Sequence, residues 1–558
     1  MNADSQTCNG EQFCRLCIRQ SRSLFVSLLV TLWAVSAFAA PPKVDFLFPA
    51  GAARGTTVSV AAQGTFEKWP VQAWCDRRGV TVVPAQEKGK LAITIPAETE
   101  PGVCWIRLYD ADGASVQKPF VIGLLPEIVE TEPNNEPSKP QAIEIPNVTV
   151  NGQLEKAQDV DYFSVALKQG QTLIASTEAH RTLGSPMDGV LQIVSPQGFI
   201  LEHNDDNHGL DPQIVFRIPA DGRYLVRAMA FPAETGANIA LSGGPNYVYR
   251  LTLTTGAFVD HVWPLAASMS APATVKVFGW NIPETSTHIP LSVSADKVHV
   301  TLFAPQLANS ILLPVMPHAI AVEDQPAGAR GPQDLQFPVT LTGRVANLRE
   351  TDAYRVSLKK GEALHIRVEA RQLGSPLDPV LTVADSSGMT IQQVDDVQTS
   401  RDAELTFTAP ADGAFQINVT DLHRRGDWQF VYRMTVARPQ PDFSASVTAD
   451  TFTLTAGTPL EIPVTIDRAG SFAEEIEFTI AGLPTGVAAS PVKSLPQGDS
   501  AKTVKIVLTG GPGPSSGAFS IVGKSSGDFN FARPAQASLA GSARSSELWL
   551  TVLPAVQK

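Results

Sequence analysis

The sequence predicts an all-β protein built as a string of antiparallel β-sandwich domains, and three observations carry that prediction. Short runs of Val, Ile, Thr and Phe recur about every 8–12 residues between Gly, Pro, Asp and Asn turn signals. Gly (41) and Pro (43) are plentiful while charged residues make up 18% and aromatics 7%, a composition of turns and short strands. After the N-terminal segment no stretch keeps the apolar period of about 3.6 residues that an amphipathic helix requires. A chain of 558 residues is also too long for one core and predicts about four to five domains.

The N-terminus reads as an export signal over residues 1–39. Arg15, Arg19 and Arg22 precede an apolar run from Leu24 to Val35, and Ser36-Ala37-Phe38-Ala39 supplies small residues for cleavage. The run is short for a bilayer span of about 20 residues, and no second one follows, so the mature chain is expected to lack a transmembrane segment. The expected location is secreted, periplasmic or at the cell surface. Cys8, Cys14 and Cys17 lie in the signal, leaving Cys75 and Cys104 in strand-like runs of one domain. Two cysteines in one small exported domain are expected to form a disulfide.

The net charge of −12 is spread along the chain, and no basic patch with interleaved aromatics occurs, which excludes nucleic acid as an expected partner.

Two segments align almost without gaps. Glu132, Gly152, Asp161 and Gly170 match Glu323, Gly343, Asp352 and Gly361 at one constant offset. After a one-residue deletion, Leu183-Gly184-Ser185-Pro186-Met187-Asp188 matches Leu373-Gly374-Ser375-Pro376-Leu377-Asp378, and Asp205-Asp206 matches Asp395-Asp396. Pro219-Ala220-Asp221-Gly222 then matches Pro410-Ala411-Asp412-Gly413, and Tyr249-Arg250 matches Tyr432-Arg433. So many ordered matches mean an internal duplication. Within each copy, alternating strands at Val160–Leu167 and Ala353–Leu358 run into turns where Gly170 and Gly361 supply positive φ.

Glu132-Pro133-Asn134-Asn135, Asp159-Val160-Asp161-Tyr162-Phe163, the Leu-Gly-Ser-Pro-x-Asp block, Asn204-Asp205-Asp206 and Pro-Ala-Asp-Gly-Arg-Tyr together resemble the bacterial pre-peptidase C-terminal (PPC) domain. The resemblance covers about 127–256, and 321–438 with a less complete motif set. It implies jelly-roll-like sandwiches of a kind usually appended to secreted proteases. Residues 40–126, with Phe48-Pro49-Ala50-Gly51 and Arg54-Gly55-Thr56-Thr57, resemble an Ig-like IPT/TIG module. A shorter echo at 257–320 carries Val262-Trp263-Pro264, and 439–558 resembles a further Ig-like sandwich. In that last domain Gly510–Gly517 and Ala535–Ser546 are rich in small residues and are expected as loops.

The resemblance also implies a calcium site in the first copy. Glu130, Glu132, Asn134 and Asn135 lead into the sandwich, and Asp159 and Asp161 open its aromatic strand. A hard cation takes six to eight oxygens from such groups. In the second copy Ala321 is read at the place of Glu130, and Gln325 and Pro326 replace Asn134 and Asn135, so weaker binding is expected there. A second acidic loop, His203 to Asp211, has no histidines in its counterpart, and its Asp205-Asp206 pair is expected to cap a hairpin.

Catalytic signatures are missing from the sequence. There is no His-Glu-x-x-His, P-loop or dinucleotide fingerprint, and Ser185 and Ser375 read as turn residues. The expectation is a non-enzymatic exported protein that binds or adheres to an extracellular or cell-envelope protein or polysaccharide. The alternative is an accessory or targeting subunit of a secreted peptidase or other hydrolase.

Overall fold

The structure, a computed structural model, describes residues 40–555 apart from 235–239, 270–272, 292, 294–297, 325–330, 398–399, 512, 528 and 542. The expected export signal, with Cys8, Cys14 and Cys17, lies outside the described residues, as do Gln325 and Pro326. The described chain is all-β, its helical elements being single turns such as His180–Leu183 and Arg371–Leu373. None of its helices is long and apolar enough to cross a membrane.

The duplicated units are ten-stranded sandwiches, and strand numbering here begins with the first of them. Its strands are β1 (Glu127–Val129), β2 (Gln141–Ile143), β3 (Asn147–Gln153), β4 (Asp161–Leu167), β5 (Thr172–Glu178), β6 (Met187–Val194), β7 (Ile200–Asn204), β8 (Gln213–Arg217), β9 (Gly222–Pro232) and β10 (Val248–Thr254). They form two five-stranded sheets, β1-β3-β10-β5-β8 and β2-β4-β9-β6-β7.

The second unit has β11 (Ala319–Val322), β12 (Gln333–Asp334), β13 (Val339–Arg344), β14 (Asp352–Leu358), β15 (Ala363–Glu369), β16 (Pro379–Ala384), β17 (Thr390–Val394), β18 (Glu404–Thr408), β19 (Gly413–Asp421) and β20 (Val431–Ala437). Its sheets run β11-β13-β20-β15-β18 and β12-β14-β19-β16-β17, the same order with every label raised by ten.

The cores follow from strand periodicity. On β14 the side chains of Asp352, Tyr354, Val356 and Leu358 are buried and those between them are not, and on β4 Asp161, Phe163, Val165 and Leu167 point the same way. Gly170 and Gly361 sit at φ 84° and 83° with open space around them, so backbone conformation alone asks for glycine there. Gly152 and Gly343 answer a different need. A Cβ at either would lie 2.2 or 2.3 Å from the ring of Tyr249 or Tyr432, which crosses the strand at that point.

The duplication extends upstream of the sandwiches. In the first flanking module Lys43–Phe48, Thr57–Thr65, Lys90–Thr94 and Thr81–Pro84 form one sheet, and Gly51–Ala53, Lys118–Gly123, Gly102–Tyr109 and Gln72–Cys75 the other. The middle module repeats both orders with the last strand of each missing: Phe258–Trp263, Ala273–Trp280 and His288–Leu291, then Ala267–Ser268, Ile311–Met316 and His299–Leu302. A register shift follows Val44 opposite Gly64 in one and Val259 opposite Gly279 in the other. Both glycines are forced, since a Cβ would come within 1.9 and 2.0 Å of the facing carbonyls of Lys43 and Phe258.

Each flanking module docks on its sandwich in the same way. Ala50 N donates to Asn151 Oδ1 at 3.1 Å, and Leu265 N to Thr342 Oγ1 at 2.9 Å, both just after the Phe-Pro or Trp-Pro corner. Beneath the corner, Arg250 pairs with Glu127 and Glu178, and Arg433 pairs with Glu369 and donates to Leu265 O. The repeating unit is therefore a pair of modules.

The last module joins eleven strands in one hydrogen-bonded system. Contrary to expectation, its small-residue stretches are loops only in part: Gly511, Gly513, Pro514 and 539–541 lie between strands, while residues 515–517 open the strand Ser515–Ser525 and 535–538 end the strand Ala532–Ser538. Ala535 and Ala537 are fully buried there, because small side chains let that strand lie close against the core.

Candidate metal centre

Glu130 follows β1, and its backbone N–H donates to Asn151 O, which continues the pairing of β1 with β3. The next residue is clamped as well: Thr131 N donates to Gln141 Oε1 at 2.8 Å. Those bonds hold the acidic lead-in across the mouth of the sandwich, above Asp161 at the start of β4.

Carboxylate oxygens of Glu130, Glu132 and Asp161 lie within 4.8 Å of one another. Two oxygens on opposite sides of a calcium ion, each at about 2.4 Å, are about 4.8 Å apart. The Asn134 side chain is 0% exposed. One end of its amide stands 3.2 Å from Glu132 Oε1 and 3.3 Å from both Asp161 Oδ1 and Asn135 Oδ1. With nitrogen at that end the amide's two N–H bonds are shared among the three. With oxygen there, four oxygens face a common point, and a cation among them is what balances them.

Protein donors reach only part of this cluster. Tyr249 OH donates to Asp161 Oδ2 at 2.5 Å and lies 3.3 Å from Glu130 Oε2, while Gln153 N donates to Glu130 Oε1 at 2.5 Å. Burial pushes the Glu130 carboxyl up to about 10, with the Asp161 charge adding to the shift. Burial likewise pushes Asp161 to about 8, and Glu132 is raised for the same reason. A bound divalent cation reverses that situation by favouring the ionised forms.

The expected set thus divides into two groups. The carboxylates of Glu130, Glu132 and Asp161 come together, and the Asn134 amide faces Glu132 and Asp161. Asp159 is turned away, accepting from Asn135 Nδ2 at 2.7 Å and Glu155 N at 2.7 Å, so it braces the lead-in. Asn135 is shared, since its Oδ1 faces Asn134 while its Nδ2 serves Asp159. Tyr249 belongs to the site although the sequence singles it out only as a repeated residue; the signal for it is Gly152, the glycine its ring requires.

The second unit corrects the alignment. Glu323 N donates to Thr342 O, Arg344 N to Glu323 Oε2 at 3.0 Å, and Asp324 N to Gln333 Oε1 at 3.2 Å. These bonds copy those of Glu130 and Thr131, so Glu323 is the counterpart of Glu130 and not of Glu132. Ala321 instead pairs with Leu341 inside β11, two residues before that place. The lead-in of the second unit is offset by two residues from its sandwich.

In the loop from His203 to Asp211, the anchoring residues are Asn204 and Asp211, not Asp205-Asp206. Asn204 Oδ1 accepts from Gln213 N at 3.0 Å, and Asp211 accepts from His180 N at 2.7 Å and Arg181 N at 3.1 Å. Asp402 caps Ala370, Arg371 and Gln372 in the same manner. Ser185 Oγ donates to Asn246 O and Ser375 Oγ to Gln429 O, and His180 Nδ1 contacts the Ser185 carbonyl, so both serines tie turns together.

Cys75 and Cys104 stand as free thiols. Cys75 is directly opposite Ile106, which makes Cys104 its diagonal neighbour on the same face. The hydrogen bond between them draws the Cys75 thiol down and pushes Cys104 up.

Solved structures that resemble parts of this chain do so at low overall similarity. The periplasmic g-type lysozyme inhibitor PliG of Aeromonas hydrophila is 16% identical, covers 21% of this chain and 96% of its own, and superposes with a TM-score of 0.15. The SGBP-B protein of a Bacteroides ovatus mixed-linkage glucan utilization locus, solved with a mixed-linkage heptasaccharide, is 10% identical over 70% of this chain and 73% of its own at a TM-score of 0.14. By sequence, 71 residues (13% of this chain) are 38% identical to a Deinococcus radiodurans protein named "Probable subtilase-type serine protease", of which they span 10%. Residues 350–421, inside the second unit, match the family described as Bacterial pre-peptidase C-terminal domain, so the chain carries a domain of that family there.

Proposed function

We propose that the protein is an exported, non-catalytic binding protein that contacts an extracellular or cell-envelope protein or polysaccharide, with calcium bracing its first repeat. On this reading both duplicated units are PPC domains and the flanking modules are Ig-like spacers of the IPT/TIG kind. The observation that carries the binding reading is a pair of matched apolar hairpin tips. Phe199 follows Gly198 between β6 and β7, and Met389 follows Gly388 between β16 and β17, each 69% exposed. Leu201 and Ile391, two residues further along β7 and β17, are exposed as well. Large exposed side chains kept at equivalent places in both copies fit a ligand engaged at two points, where avidity replaces a deep pocket.

Calcium is supported by the carboxylate oxygens of Glu130, Glu132 and Asp161, which lie within 4.8 Å of one another. The test is a retention screen of the mature chain on isolated cell envelope, collagen and insoluble polysaccharides, with calcium and with chelator. Retention that falls when Phe199 and Met389 are both changed to Ser supports the reading; retention unchanged by the double variant removes it.

The accessory reading is favoured by the segment shared with a subtilase-type protein. Co-purification of a secreted peptidase with the tagged chain distinguishes it. Hydrolysis of casein by the pure chain would instead return it to the enzymes.

A further inference from the structure

We infer that the second unit carries a pocket for a neutral, polyhydroxylated ligand, a sugar residue of a polysaccharide, at the place where the first unit lays an arginine. The inference rests on the binding reading, to which it adds the site where the sugar is recognised.

The pocket follows from differences between the two copies at matched places. Strand register sets Asp334 beside Arg355 on β12 and β14, where β2 and β4 set Ala142 beside Ser164. It also sets Ser357 opposite Ala414, where Ala166 faces Arg223. In the first unit the Arg223 side chain lies back across that face and donates to Ser164 Oγ at 3.2 Å. Ala414 is too short to cross. A cavity of about 560 Å³ stands open there instead, and its lining includes Asp334, Phe337, Arg355, Ser357 and Arg438. Such a volume falls within the range of about 300–1,000 Å³ usual for small-molecule sites. The rim is held in place by the backbone, because Leu335 N donates to Arg355 O at 2.9 Å and the Leu335 side chain is buried in the core beneath.

The lining is polar, and its charges are already matched. Arg355 Nε and Nη2 donate to Asp334 Oδ1 and Oδ2 at 2.5 and 2.9 Å, and Arg438, 5.4 Å from the Phe337 ring centre, donates to Glu362 Oε1 at 3.0 Å. That pairing uses two of the five guanidinium N–H bonds of Arg355, so among the described residues three remain beside a carboxylate whose oxygens can each accept again. Donors and acceptors side by side fit the hydroxyls of a sugar ring, each of which both donates and accepts. The Arg355 and Asp334 side chains are 46% and 66% exposed, so a polymer reaches them without unpacking the fold. A pair so exposed adds little to stability. An apolar ligand would leave these groups unsatisfied, and an acidic one gains nothing net from charges that are already paired.

The experiment is affinity gel electrophoresis of the full mature chain through dextran, galactomannan, xylan and polygalacturonate, alongside thermal unfolding, on wild type, Asp334→Ala and Ala414→Arg. Each variant copies the residue that the first unit carries at that place. The expected results are retardation of the wild type by a neutral polysaccharide and not by polygalacturonate, a loss of affinity of about tenfold or more in each variant, and an unchanged Tm. A smaller loss in either folded variant places the sugar elsewhere and overturns the inference. Retardation by polygalacturonate overturns the neutral ligand class, and retardation by none of the four overturns the pocket. The binding reading fails separately, through the retention screen with the Phe199 and Met389 double variant. Should one pocket variant unfold, the other decides.

Discussion

The Arg107 guanidinium, on the first module, donates to the Asp450 carboxylate on the last module at 2.7 Å, both side chains almost fully buried. Arg107 also reaches Asp450 O at 3.1 Å and lies 5.6 Å from the Trp549 ring, while Gln117 N donates to the same carboxylate. The first and last described modules therefore meet at this contact. Burial lowers the arginine to about 10 despite its partner, which measures how dry the contact is.

Removing Asp450 leaves a buried cation without its counter-charge. Asp450→Ala is expected to destabilise the protein by about 3–5 kcal/mol, while the paired Arg107→Met, Asp450→Leu variant loses much less, because an apolar pair of similar volume needs no desolvated charge. Chemical denaturation followed by tryptophan fluorescence reads this directly, since Trp74 and Trp549 stand 6.4 Å apart across the contact. Equal losses in the single and double variants would show that the ion pair is not what the interface depends on.

The duplication is legible in the sequence because glycines and turn blocks recur at constant spacing, and each has a backbone reason. The alternating runs of β4 and β14 are equally plain. What the sequence conceals is register across a loop. Glu132 and Glu323 share the offset of the sandwiches, yet the ladder from β1 to β3 and β11 to β13 makes Glu130 the partner of Glu323. An insertion between two strands shifts letters without moving the strands. The closure of Arg107 on Asp450 is hidden for a related reason: no local pattern marks a contact between residues 343 apart.

Stability without calcium should fall as pH rises. Burial lifts Glu130 and Asp161 to about 10 and 8 in the folded protein, above their ordinary values of 4.5 and 3.8. From about pH 4 upward the unfolded chain therefore binds fewer protons than the folded one, so the stability present in acid is progressively lost through pH 8. On the proposed reading, calcium favours the ionised groups and should remove this slope. Thermal unfolding between pH 5 and 8, with chelator and with calcium, is the check; parallel curves would show that these carboxylates do not hold the ion.

Truncating the ligands separates binding from bracing. Asp161→Asn is expected to abolish calcium uptake, since it removes charge at the point of convergence, whereas Asp159→Asn should keep the ion and lose about 1 kcal/mol through its weakened bonds to Asn135 and Glu155. Calorimetric titration of the full chain distinguishes them. Equal loss of affinity in both would place Asp159 among the ligands.

Cys75 and Cys104 are diagonal neighbours on one face, so their oxidation requires only local side-chain rotation. Air-oxidised protein is expected to weigh two hydrogens less than the reduced chain and to resist alkylation until a reductant is added. Replacing both by Ser should cost about 3–4 kcal/mol if the bridge forms, because the loop it closes no longer restrains the unfolded chain. Cys104 is fully buried and Cys75 half-buried, so the pair is shielded from casual thiol exchange once made. Two alkylatable thiols in the native exported protein would show that they remain a packed pair of side chains, and the double Ser variant would then lose only the contacts of Cys104 in the core.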